Sequence, residues 1–194
     1  MTAPHRRNAQ ARQAILRAAL DLCQERGYAG LTIEGVAARA GVGKQTIYRW
    51  WPSKGAVVLE AFQDALGPSL DVPLEAGDRL GELEKHLRRT ADLLSHPRFG
   101  PMLADLVGAT QHDPALAEEF RQQVTGPARA GTLARIRAAQ EAGQLRPLDP
   151  DLIADAFFGP LWFNLLVMRT PPEDPYVERL VDAVLAGVAT TPTR

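Results

Sequence analysis

The chain has 194 residues, of which 45 % are hydrophobic and 23 % are charged, a composition that favours a globular protein with a packed core over a disordered one. Its single cysteine excludes an internal disulfide, and it lacks the run of about 18 consecutive apolar residues that a membrane span needs. The net charge of −1 divides unevenly: residues 1–55 hold nine cations and three anions, and residues 56–194 hold 13 cations and 20 anions. This asymmetry favours a nucleic-acid partner for the N-terminal quarter.

The N-terminal third is predicted to form four helices. Apolar residues recur three and four positions apart, as on one face of a helix. The first predicted helix runs from about residue 8 to residue 25, and Gly27 stops it. The second is capped by Thr32 and ends at Gly41. The third spans 44–50, and the fourth is capped by Ser53. Because residues 1–10 are polar and basic, we expect no secretory signal.

The rest of the chain is predicted to be helical as well, which makes the fold class all-α. A linker is expected at 68–77, rich in proline and glycine. We expect a kink or break where Gly126 precedes Pro127, inside the third of the following helices. The predicted helices cover about 78–95, 97–109, 114–143, 149–169 and 175–188.

The second and third helices have the arrangement of a helix-turn-helix. They are short, and Gly41-Val42-Gly43 joins them. Ile47 has the spacing of a buried anchor, so neighbouring polar side chains of the third helix point outward. Glutamine, lysine and arginine are the residue types that contact base edges and phosphates in DNA. We therefore predict that the third helix enters the major groove, and that Trp51 packs between helices.

Residues 31–62 resemble the TetR family of bacterial regulators, most specifically in Thr46-Ile47-Tyr48 and in Trp51-Pro52-Ser53-Lys54. The resemblance implies that Lys44 and Gln45 contact base edges, and that Tyr48 and Lys54 contact phosphates. Trp50 stands where many family members have histidine or phenylalanine. The complete set of implied DNA contacts is Thr32, Gly43, Lys44, Gln45, Thr46, Tyr48, Arg49, Trp50 and Lys54.

The resemblance also implies the organisation of the whole protein. A DNA-binding domain of residues 1–66 would be followed by a helical regulatory domain of residues 67–194. The second domain would bind a small-molecule effector and form a homodimer through helices 151–169 and 176–188. The candidate effector-pocket residues are aromatic and aliphatic residues, together with two polar residues among apolar neighbours in the sequence. They are Met102, Leu106, His112, Phe158, Trp162, Phe163 and Asn164.

These features predict a cytoplasmic, ligand-responsive regulator, most simply a repressor that leaves a palindromic operator when an effector binds. An activator or a ligand-independent regulator of the same fold is an alternative, as is a helical small-molecule-binding protein without a DNA function. An enzyme is not expected. Gly41-Val42-Gly43-Lys44 fails the phosphate-loop pattern because Ala38 and Gln45 replace its other required residues. The four histidines lack metal-ligand spacing, and no cofactor is expected.

Overall fold

The computed structural model describes residues 3–66 and 77–190, with side chains from residue 8 onward. Every element of these ranges is helical except one isolated bridge between Leu145 and Ala189, so the all-α prediction is confirmed. The helices are α1 (Ala3–Gly30), α2 (Ile33–Ala40), α3 (Lys44–Tyr48), α4 (Lys54–Leu66), α5 (Arg79–Ser95), α6 (Gly100–Thr110), α7 (Pro114–Phe120), α8 (Gly126–Glu141), α9 (Pro150–Trp162) and α10 (Asp174–Val188).

The predicted caps of α2 and α4 are confirmed, whereas α1 begins at Ala3 instead of near residue 8 and continues past Gly27 to Gly30, and α3 ends at Tyr48 instead of residue 50. Gly27 leaves the helical conformation with φ of 69° and interrupts α1. The Thr32 hydroxyl accepts a bond of 3.1 Å from the Gly35 N–H. Gly41 ends α2 in the left-handed region, with φ of 67°, and the Ser53 hydroxyl accepts from the Ala56 N–H at 3.0 Å. The hydroxyls of Thr32 and Ser53 thus bond amide N–H groups that the first turn of a helix leaves without a partner.

The first compact unit contains Met1–Leu70 together with Asp105–Thr125. Its core is formed by buried apolar side chains of α1, α2, α3 and α4, joined by Leu116 and Phe120 of α7. A Cβ built on Gly55 would lie 2.6 Å from a methyl carbon of Leu116, so α4 and α7 meet closely at that glycine. The Gln63 side chain donates to the Gln123 carbonyl at 2.7 Å. A segment remote in sequence therefore completes the unit that holds the helix-turn-helix.

The second compact unit contains Asp71–Ala104 and Gly126–Arg194. Its buried side chains come from α5, α8, α9 and α10, and include Leu83, Ile136, Phe157 and Val181. The predicted domain boundary falls between residues 66 and 67. Residues 67–76, which include most of the predicted linker, lie outside the described part of the chain, so the boundary stays a prediction.

Two helical segments are wound with wider, π-type turns. Arg121–Thr125 follows α7, and Phe163–Met168 follows α9. The first ends where Gly126 precedes Pro127, so the winding of the helix changes there, whereas the helical run continues without the predicted break. The second follows Pro160, which has no N–H for the helix ladder. Local relaxation of the ladder next to a proline accounts for both positions.

A buried polar cluster joins α5 to α8 in the second unit. The His86 Nε2 lies 2.8 Å from the Thr132 hydroxyl, which also donates to the Ala128 carbonyl at 3.1 Å. Thr132 is fully buried and Arg135 nearly so. Burial, followed by the positive charges of Arg135 and Arg89, lowers the pKa of His86 to about 4. The ring is therefore neutral near neutral pH.

This cluster predicts that acid weakens the fold. An unfolded histidine binds a proton below a pKa of about 6.5, whereas folded His86 resists protonation down to about 4. The unfolded state thus gains protons first, and the free energy of unfolding should fall between these pH values, by at most about 1.4 kcal/mol per pH unit. Urea titrations at pH 7.5 and 5 should show this loss. His86→Gln should reduce it, whereas His112→Gln, at an exposed histidine, should follow the wild type.

Pro150–Met168 is the described stretch that is long and apolar enough to cross a membrane by length and composition. The sequence criterion of about 18 consecutive apolar residues did not predict this stretch, because Asp151, Asp155 and Asn164 interrupt the run. Only 28 % of the stretch is buried in the chain. An apolar helix therefore presents much of its surface outside the core of its own unit.

Candidate nucleic-acid interface

Two buried side chains fix the orientation of α3. Ile47 is fully buried, as predicted, and Trp51 is 3 % exposed. The Trp51 indole N–H donates to the Glu60 carboxylate at 2.8 Å, and the Arg12 guanidinium pairs with the other oxygen of the same carboxylate. The predicted packing role of Trp51 is thus confirmed, and Arg12 is held against α4.

The remaining side chains of α3 and its C-terminal turn form the outer surface of the helix-turn-helix. Tyr48 is 50 % exposed, and the Arg49 guanidinium lies 5.0 Å from the centre of the Trp50 ring. Trp50 packs edge-on against Trp51 at 5.5 Å. The exposed members of the predicted contact set are Thr32, Gly43, Lys44, Gln45, Tyr48 and Arg49, and the half-buried members are Thr46, Trp50 and Lys54.

The Thr32 hydroxyl and the Lys54 ammonium already make hydrogen bonds within the protein. The Thr32 hydroxyl accepts the capping bond from Gly35, and its own proton stays available as a donor. The Lys54 ammonium donates to the Tyr28 carbonyl at 3.1 Å and lies 4.3 Å from the centre of the Tyr28 ring. Since an ammonium group has three donors, this arrangement uses one of them.

Two ion pairs of the helix-turn-helix were not predicted from the sequence. The Lys44 ammonium lies 2.9 Å from the Glu34 carboxylate. The hydrogen bond between them lowers the pKa of Glu34 and raises the pKa of Lys44. Arg39 makes two bonds of 2.6 and 2.8 Å to Glu25. Helix periodicity gives no signal for such pairs, because each joins two different helices.

An open concavity of about 570 Å³ lies between the start of α1 and the helix-turn-helix. Asn8 and Gln10 of α1 line it, together with Thr46 of α3 and Arg49 of the following turn. The sequence did not predict that Asn8 and Gln10 lie next to the helix-turn-helix. The concavity is lined by Asn8, Gln10, Ala11, Ala40, Gly41, Val42, Gly43, Thr46 and Arg49.

The predicted effector residues are divided between the two compact units. Leu106 and His112 belong to the first, and the other five belong to the second. Met102 and Leu106 are buried, His112 is exposed and Phe163 is 53 % exposed. Asn164 donates its side-chain amide to the Pro160 carbonyl at 2.8 Å. Within residues 3–66 and 77–190, no group of three or more histidine, cysteine or acidic side chains is placed to hold a metal ion.

Two sequence families match the chain in succession. The family described as "Bacterial regulatory proteins, tetR family" matches residues 15–61. The family described as "Tetracyclin repressor-like, C-terminal domain" matches residues 73–184. The first match contains α2, α3 and most of α4. The order is that of a helix-turn-helix followed by a helical C-terminal domain.

Similar proteins extend over nearly the whole chain. The HTH-type transcriptional regulator YdeS of Bacillus subtilis, itself uncharacterized, is 35 % identical over 92 % of this chain and 90 % of its own length. A DNA-binding transcriptional repressor TetR of Mycobacteroides abscessus is 33 % identical over 89 % of this chain and 90 % of its own. The crystal structure of the TetR family transcription regulator SCO0332 matches with a TM-score of 0.73 and 36 % identity, over 92 % of this chain and 98 % of that one. The chain therefore belongs to the TetR family of DNA-binding, helix-turn-helix transcriptional regulators.

Proposed function

We propose that the protein is a cytoplasmic repressor that binds a palindromic operator as a homodimer and is released by a small-molecule effector. The observation that carries the proposal is the exposed polar surface of α3, which the buried Ile47 and Trp51 hold outward. The repressor similar to this chain in M. abscessus supports the sign of regulation. Family membership sets aside a small-molecule-binding protein without a DNA function.

We propose that α3 supplies the base contacts. Lys44 and Gln45 are exposed in its first turn, where lysine pairs with guanine and glutamine with adenine edges. Thr46, Arg49 and Trp50 complete the surface toward the groove, and Gly43 allows close approach of the backbone. Thr32, Tyr48 and Lys54 contact phosphates on either side. Such contacts position the protein, whereas the base contacts select the sequence.

We propose that α9 and α10 form the dimer interface. Exposed apolar or small residues follow one face of α9 and the π-type segment after it, at spacings of four, three and four residues as far as Phe163 and of three or four residues beyond it. On α10, Ala183, Ala186 and Gly187 are exposed, and their small size allows close helix approach. An interface here would cover the apolar surface of Pro150–Met168. The exposed stripe of α9 and its extension consists of Leu152, Ala156, Gly159, Phe163, Leu166 and Val167.

We propose that the effector contacts residues of the set Met102, Leu106, His112, Phe158, Trp162, Phe163 and Asn164. An effector releases the operator only if it binds the conformation that is incompetent for DNA more tightly than the competent one. An activator or a ligand-independent regulator would have the same DNA surface. Deleting the gene and measuring a reporter separates these alternatives, since loss of a repressor raises expression.

The DNA function is tested by selecting duplexes from random and genomic fragments with the purified protein, followed by titration in increasing salt. We expect a palindromic sequence whose affinity falls on the order of 10³-fold between about 50 and 200 mM salt. Lys44→Ala should weaken binding to it. Lys85→Ala, an exposed lysine of α5, removes the same charge from the second unit and should leave the affinity unchanged. Failure to enrich any sequence would contradict the proposal.

A further inference from the structure

The ion pair between Glu34 and Lys44 is placed across the joint of the helix-turn-helix. Glu34 lies in the first turn of α2, and Lys44 begins α3. Both side chains are more than half exposed, at 65 % and 53 %. The lysine proposed to contact base edges is therefore engaged by a carboxylate of its own chain when no DNA is bound.

The position of Glu34 also brings a negative charge to the DNA-binding surface. It lies two residues after Thr32, a proposed phosphate contact. Two other acids of the first unit have partners away from α3: Glu25 pairs with Arg39, and Glu60 pairs with Arg12 and Trp51. The partner of Glu34, in contrast, is a proposed base-contacting side chain.

Lys44 contributes differently to the affinity for non-specific DNA and to the affinity for the operator. Non-specific affinity comes almost entirely from cations that displace counterions from phosphates. A lysine already neutralised by Glu34 contributes less to this term, and the nearby carboxylate repels phosphates. A guanine edge, in contrast, offers two acceptors in fixed positions. That contact compensates for the lost ion pair only where the correct base is present.

We propose that Glu34 competes with DNA for Lys44 and so lowers the affinity of the protein for DNA. The inference rests on the proposed function, because it requires Lys44 to contact DNA. Since the ion pair has to open before Lys44 contacts a guanine edge, Glu34 weakens operator binding at least as much as non-specific binding.

The test compares wild type with Glu34→Gln, which keeps the size of the side chain and removes its charge. Fluorescence anisotropy measures binding to the selected operator duplex and to a scrambled duplex of equal length, from about 50 to 200 mM salt. Affinity of the variant for the scrambled duplex should rise roughly 3- to 10-fold at the lower salt, with a salt slope steeper by about 0.9 for each released lysine. Operator affinity should rise at least as much, because the contact of Lys44 with the operator no longer requires the ion pair to open.

Two further variants make the outcomes distinct. Glu118→Gln removes a carboxylate from α7, where Glu118 pairs with Arg121, and should leave both affinities unchanged. In a Lys44→Ala background, Glu34→Gln should lose most of its effect on both duplexes. No gain of Glu34→Gln for the operator duplex would overturn the role of Glu34 while Lys44→Ala still weakens operator binding. If Lys44→Ala binds the operator like the wild type, the assignment of Lys44 fails instead.

Discussion

A chain carrying both Phe163→Asp and Val167→Asp is expected to be monomeric and to bind the palindromic operator roughly 10²- to 10⁴-fold more weakly, because two linked DNA-binding units hold adjacent half-sites far better than one. Both side chains are more than half exposed in the single chain, so the fold tolerates the change. In the proposed dimer each aspartate would be buried against apolar groups, at a cost of several kcal/mol without a partner charge. Light scattering after gel filtration measures the mass, and anisotropy measures the affinity.

The control places a single aspartate on another helix. Ala134 is exposed on α8 of the same compact unit, so Ala134→Asp should remain dimeric with unchanged operator affinity. Circular dichroism should give equal helix content for both variants. Since Phe163 is also a candidate effector residue, the comparison is made without effector. A dimer that persists in the Phe163→Asp/Val167→Asp chain would contradict the proposed interface.

Trp51→Ala is expected to lower the free energy of unfolding by about 3–5 kcal/mol, because it empties a large buried site. The loss includes the indole N–H that bonds the Glu60 carboxylate, which would keep only its pairing with Arg12. Domains are stable by only about 5–15 kcal/mol, so the change removes a large part of the total. Urea denaturation followed by circular dichroism measures it. The melting temperature should fall by about 10 °C or more.

Two variants separate packing from the hydrogen bond at this site. Trp51→Phe keeps most of the apolar area and loses the N–H, so its destabilisation should be clearly smaller than that of Trp51→Ala. Trp50→Ala truncates the half-buried neighbour and should also cost less. If Trp51→Ala unfolds at the wild-type urea concentration, Trp51 does not hold the helix-turn-helix together.

The sequence predicted those parts of the fold that depend on neighbours along the chain. The capping side chains of Thr32 and Ser53 bond amides within three residues, and Gly41 ends α2 through its own backbone conformation. The burial of Ile47 follows from helix spacing once a helix is assumed. These are local interactions, and local sequence determines them.

The features that the sequence did not predict depend on residues that meet only in the folded chain. The pair of Glu34 with Lys44 joins two helices across a turn, and Lys54 turns its ammonium toward Tyr28. Likewise, nothing in the pattern of Asp105–Thr125 indicated that it belongs to the first compact unit, because its apolar spacing is equally suited to any helical partner.

The packing of α7 beneath α4 limits how this regulator can be recombined with others. Leu116 and Phe120 are buried in the unit that holds the helix-turn-helix, and Gly55 leaves room for Leu116. A chimaera that grafts residues 1–66 onto a foreign effector domain would expose this apolar surface or cover it with side chains of the wrong shape. An exchange of operator preference between regulators would therefore have to transplant residues 105–125 as well, so the portable DNA-binding module of this chain is discontinuous in the gene.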